Sequence, residues 1–208
     1  IIFKELLSCT QAIIYCKVGL SSPLKKTKDL YYSCAQIFRA FSQLTSLQRL
    51  ELQENRLRQF SLAAFENCST DLQHPMMLNL SHNDLDVMNP APAAKMFIPP
   101  FIHVLDVSFN QLSRVPRLFL EQVAPALRRL DLSHNQITDV ANADLRKLIN
   151  LQELKIAANS IIDLQKASLK SLTGLQILDL SQNRIEVLQF GQFSGLTGLR
   201  RVDLSNNR

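Results

Sequence analysis

Tryptophan is absent from the 208 residues, tyrosine occurs three times and glycine five times. With leucine dominating the apolar set, that suits a core built from one repeated slot rather than from assorted large aromatics, and a glycine-rich phosphate loop is excluded, since no GxxxxGK stretch exists. No apolar run reaches the roughly 18 to 20 residues that a membrane span needs. The chain does not open on methionine, and residues 1–7 lack the basic start and longer apolar centre of a secretory signal. We read it as a fragment or mature piece, with any membrane anchor supplied by segments outside it. Four cysteines and four histidines show no CxxC or HxxxH spacing, so no metal or other cofactor is expected.

Charge of one sign is also lacking over most of the chain. The formal balance is +5, but residues 1–41 hold six basic residues against two acidic ones, which leaves 17 basic against 16 acidic in the other 167. A nearly neutral body argues against nucleic acid as a partner, because that needs basic residues gathered on one surface. With 46% hydrophobic and 20% charged residues the composition is that of a globular protein.

What the chain does have is a repeat. Residues 127–137, LRRLDLSHNQI, are one copy of a unit whose register is held by Asn55, Asn83, Asn110, Asn135, Asn159, Asn183 and Asn207, spaced 28, 27, 25, 24, 24 and 24 apart. Self-similarity at this period means a solenoid. The unit LxxLxLxxNxL contains a short strand whose alternate residues point inward, and strands stacked in parallel about 4.8 Å apart make a continuous sheet on a concave face. The asparagine falls where the chain turns back, and its amide can serve both donors and acceptors of buried backbone in neighbouring repeats. In repeat two Pro75 occupies the first apolar slot. The following NPAPAAKMFIPPF, residues 89–101, predicts an irregular convex loop, since its prolines cannot sit inside a helix. The expected fold is α/β: a curved solenoid of about seven repeats over residues 42–208, with a parallel sheet inside and a short helical or irregular outside. Residues 1–41 form an atypical cap or a degenerate repeat, because a solenoid exposes its core at each end. The open C-terminal turn predicts an apolar edge and self-association.

Outward strand positions fall into columns. The central one is Glu51, Asn79, Asp106, Asp131, Lys155, Asp179 and Asp203, and its neighbour is Arg49, Met77, Val104, Arg129, Glu153, Ile177 and Arg201. Near the turn stand Glu54, His82, Phe109, His134, Ala158, Gln182 and Asn206. Met77, Val104 and Phe109 gather as an apolar patch on repeats two and three, unless the proline-rich loop covers it. Asp106, Arg129, Asp131, His134 and Lys155 complete the candidate contact set. His82 and His134 lie two repeats apart, too far to share one zinc. Asp131, Ser133 and His134 have the residue types of a hydrolase trio, yet they are ordinary repeat positions on alternating faces, and no enzyme is predicted.

With 24-residue spacing, LxxLxxLxLxxNxI and the return pattern xxLxxxxFxxL, these residues resemble the typical extracellular class of the leucine-rich-repeat family over about four fifths of the chain. LDLSHN, LDVSFN and LDLSQN are similar in style to Toll-type receptor ectodomains and to chaoptin. The resemblance implies a recognition module for a protein ligand or receptor subunit, in adhesion or innate immunity. IIYCKVGLSSP resembles the cysteine-containing N-terminal caps of such proteins, although the tight CxC cluster is missing, and a Cys9–Cys16 bridge would suit a secreted cap. Asn79-Leu-Ser81 and Asn67-Cys-Ser69 are glycosylation sequons, consistent with an extracellular or cell-surface location. The alternative is an intracellular scaffold with every cysteine reduced.

Overall fold

The computed structural model describes residues 13–15, 47–65, 75–90, 101–164 and 169–208. Eight of its strands form one parallel sheet: β1 (Ile13–Tyr15), β2 (Arg49–Glu51), β4 (Met76–Asn79), β6 (Ile102–Asp106), β7 (Arg129–Asp131), β8 (Glu153–Lys155), β9 (Ile177–Asp179) and β10 (Arg201–Asp203), in that spatial order. Each repeat contributes one strand, so neighbours in the sheet are neighbours in sequence. Register pairs the slots that the repeat aligns, Leu50 with Leu78, Leu78 with Leu105, and onward to Leu178. These leucines are at most 1% exposed. Each burial contributes on the order of 1.5 to 3 kcal/mol. β1 is a finding the repeat pattern did not contain: Ile13, Ile14 and Tyr15 pair with Arg49, Leu50 and Glu51 as a further strand.

One slot differs from expectation. Pro75 is exposed, and Met76, 1% exposed, fills the first slot of repeat two. Met76 donates its N–H to the Phe101 carbonyl at 2.9 Å, a bond proline has no hydrogen to make. β6 carries one residue more than β4 at this point: Met76 pairs with Ile102 and Met77 with Val104, leaving His103 over as a bulge.

Asparagines join the layers. Asn83 Nδ2 donates to the carbonyls of Leu80 and Ser81 in its own repeat and of Leu52 in the preceding one, while its Oδ1 accepts the Leu57 N–H. Asn110, Asn135, Asn159, Asn183 and Asn207 repeat this arrangement one layer at a time. It is the ladder expected from the sequence.

The return side holds the helices α1 (Arg117–Val123) and α2 (Asn142–Leu145), a 3-10 turn at Leu62–Phe65, and a two-stranded parallel ladder of β3 (Gln59–Ser61) and β5 (Val87–Asn89). α1 follows Pro116, buries Phe119, Leu120 and Val123, and is tied by an Arg117–Glu121 pair one turn apart. Phe60 lies 6.3 Å from Phe65 and 6.1 Å from Phe119, joining repeats one to three behind the sheet. The β3–β5 ladder takes Asn89 from the stretch read as irregular loop. Residues 91–100 of that loop lie outside the described residues, as does its proposed cover over the patch.

Candidate functional site

Each strand leaves the concave face through the same turn. In the LDLS motif the aspartate Oδ1 accepts both the N–H and the hydroxyl of the serine two residues on, at 2.9 and 2.7 Å in Asp106–Ser108, and likewise in Asp179–Ser181 and Asp203–Ser205. Asn79 takes the same part toward Ser81 at 3.0 and 2.8 Å. The acidic column is therefore turn chemistry as well as surface. The residue after the serine position, immediately before the asparagine, adopts a left-handed backbone in every repeat: φ lies between 51° and 57° at Glu54, His82, Phe109, His134, Ala158, Gln182 and Asn206. Such φ values are uncommon for residues with a Cβ. Here they turn the following asparagine inward.

The sheet register lines up the outward strand columns as the repeat predicts. Met77 and Val104 are half-buried partners, with Arg129, Glu153, Ile177 and Arg201 continuing their column. Arg49 lays its guanidinium over the Met77 sulfur at 3.3 Å and pairs with Glu51 at 3.0 Å, so charge covers part of the apolar pair. Farther along, Arg129 and Lys155 both bond Glu153, at 3.4 and 3.1 Å, and Arg201 pairs with Asp203 at 3.6 Å. None of these ion pairs involves Asp106, Asp131 or Asp179.

Phe109 does not join Met77 and Val104 on the strands. It stands on the turn column, 42% exposed, sandwiched between two imidazoles: His82 at 4.1 Å and His134 at 4.0 Å between ring centroids, each within 10° of parallel. The rings stack because the left-handed turn projects successive side chains along the solenoid at strand spacing, where flat groups meet face to face. The predicted patch is thus two surfaces, an apolar pair in the sheet and a ring stack at its edge. The signal for the stack was the HNx, FNx, HNx series, visible in sequence but without a direction until the turn conformation was known.

Burial lifts the Asp131 carboxyl above its usual 3.8, against the lowering effect of its Ser133 hydrogen bonds, with Asp106 raising it further and Lys155 lowering it. Lys155 is held above its usual range chiefly by its Glu153 hydrogen bond. For Asp131 the unfolded chain ionises first as pH rises, so ionisation favours unfolding, and stability falls from about pH 4 upward through the folded-state titration. Asp131→Asn removes that cost and keeps the oxygen that accepts from Ser133, as Asn79 does in its own repeat. Thermal unfolding is expected to show the variant more stable than the parent at pH 7 and level with it near pH 3; a less stable variant at pH 7 would refute the assignment.

Asn79 lies on β4 within the concave sheet, so a glycan there would stand over the strand face. Asn67, Cys9 and Cys16 lie outside the described residues. Among the described residues no group of three or more His, Cys, Asp and Glu side chains is placed to hold a metal ion, and no helix is long and apolar enough to cross a membrane.

Comparison with known proteins agrees with this geometry. The family model described as leucine rich repeat matches residues 101–161 and 149–208. Trophoblast glycoprotein of Macaca fascicularis is 29% identical over 128 residues, 55% of this chain and 30% of that protein. Among solved structures, TLR13 in a TLR13–ssRNA13 complex superposes with a TM-score of 0.67 at 29% identity, over 82% of this chain and 22% of that one. A leucine-rich-repeat protein of Leptospira interrogans shares the fold, with a TM-score of 0.61 at 21% identity over 82% and 40%. The chain therefore spans less than half the length of each of these relatives. A parallel sheet of one strand per repeat, an asparagine ladder and a model match over half the sequence together show that the chain belongs to the leucine-rich-repeat family, whose common use is as a protein-binding module.

Proposed function

We propose that this chain is part of an extracellular leucine-rich-repeat ectodomain that recognises a protein, a ligand or a receptor subunit, in adhesion or innate-immune-type binding. The contact surface is the strand face of repeats two to five, with Met77, Val104, Asp106, Arg129, Asp131 and Lys155, and the adjoining edge with Phe109 and His134. The observation that carries the proposal is the division of labour in each repeat: leucines and asparagine hold the scaffold, which leaves the outward positions of a rigid sheet free to vary. A rigid sheet edged by half-exposed aromatic and charged groups is suited to protein contact. An extracellular setting is supported by the two sequons at Asn67 and Asn79, by Cys9 and Cys16 in the cap-like segment, and by similarity to a protein named as a glycoprotein. TLR13 was solved with single-stranded RNA; here the carboxylates of Asp106, Asp131 and Asp179 oppose a polyphosphate, which favours a protein partner.

The test is photo-crosslinking on cells that secrete or display the chain. Benzoylphenylalanine at position 104 is expected to capture a protein and at position 149, exposed in the return segment and outside the sheet, to capture none; equal labelling from both would reject the surface. Intact-mass measurement before and after reduction and deglycosylation checks the setting, and absence of any disulfide and any glycan would transfer the module inside the cell.

A further inference from the structure

We propose that the open face of His134, above Ala158, is a slot for an arginine side chain of the partner protein, its guanidinium stacking on the imidazole and pairing with Asp131 and Asp179. This rests on the protein-recognition reading above and names the group that the partner presents. The ring stack runs His82, Phe109, His134 and there meets Ala158, whose side chain ends at Cβ; the next residue in the column is Gln182. His134 and Gln182 are two strand spacings apart, roughly 9 to 10 Å, which leaves room for one planar group at the 4.0 Å ring spacing already present. His134 is exposed, so the site is open to solvent.

Charge selects the planar group. On the strands three residues before His134, Ala158 and Gln182 lie Asp131, Lys155 and Asp179. Lys155 and Arg129 are both committed to Glu153. Asp131 and Asp179 each give one oxygen to a serine, and neither forms an ion pair among the described residues, although Lys155 on the strand between them offsets part of their charge. A guanidinium is flat enough to stack and presents a fork that matches a carboxylate, whereas an ammonium has no plane to stack. A nucleobase would stack equally well, but its phosphates would be carried against the same carboxylates.

The experiment follows the Ala158 methyl and His134 ring signals by NMR in the whole chain, titrated with acetyl-Gly-Arg-Gly-amide, its lysine counterpart, and a six-residue oligouridylate. The arginine peptide is expected to shift both signals saturably and to bind about five-fold tighter than the lysine peptide, the ratio that roughly 1 kcal/mol of stacking gives. Ala158→His, which extends the stack with a residue the column already carries at φ 53° and 54°, is expected to abolish the response read at the His134 ring. Should that variant fail to fold, Asp131→Asn with Asp179→Asn is expected to erase the arginine preference. Equal response to arginine and lysine, undiminished binding in the variants, or tighter binding of oligouridylate at the same signals would overturn the slot. If capture from position 104 persists in that event, the slot alone is lost; if capture also fails, so is the protein-recognition reading.

Discussion

Asn135→Ala is expected to destabilise the solenoid by about 1 to 3 kcal/mol, or roughly 2 to 12 °C in Tm for a chain of this length. Asn135 Nδ2 donates to the carbonyls of Val107, Leu132 and Ser133 at 3.0, 3.1 and 3.2 Å, and its Oδ1 accepts the Leu112 N–H at 3.0 Å. Alanine orphans the Leu112 N–H and takes one donor from each of three carbonyls, which keep Asn110 Nδ2 on Val107, Asn159 Nδ2 on Leu132 and the Phe109 N–H on Ser133; it also leaves a hole beside them. Asn135→Asp is expected to be worse despite its equal size, because a carboxylate turns a second acceptor toward three carbonyl oxygens. Circular dichroism during heating measures both. A fall below about 2 °C for alanine would mean that the ladder satisfies the backbone without stabilising the fold.

Phe119→Ala is expected to cost about 3 to 5 kcal/mol, the usual range for emptying a buried phenylalanine site. Phe119 is fully buried on α1 and contacts Phe60 of repeat one across the back of the sheet, so its ring links layers that the strands alone join edge to edge. Phe109→Ala is the control: that ring is 42% exposed and stacked on two imidazoles, and its loss should cost no more than about 1.5 kcal/mol. Urea denaturation of the two variants is expected to separate them by at least about 1.5 kcal/mol. Equal losses would show that the aromatic cluster behind the sheet is not what holds repeats one to three together.

The repeat made most of the scaffold legible. A unit with one strand and one inward asparagine has a single way to stack, so strand order, register and ladder followed from the asparagine spacing and the placement of leucine. Legibility failed where the repeat drifts. Pro75 occupies the aligned slot in the sequence, but the slot needs an N–H for Phe101, and Met76 supplies it through a bulge that no alignment of leucines records. β1 was hidden because Ile13, Ile14 and Tyr15 precede Leu50 by an irregular interval and carry no asparagine in register. The β3–β5 ladder was hidden because its strands are three residues long and lie in the return segments of two repeats, where the repeat pattern is least regular.

For the candidate site the division is sharper. Sequence alone determined which residues are framework and which face outward, and so named the columns containing Met77, Val104, Arg129, Asp131 and Lys155. Only the tertiary structure decided how those columns meet. Periodicity assigns a face, but the left-handed turn before each asparagine fixes a direction, and that direction moves Phe109 from an apolar patch on the strands into a stack between His82 and His134. It also ends the stack at Ala158, because direction depends on backbone conformation whereas the size of the gap depends on which residue the next repeat happens to supply.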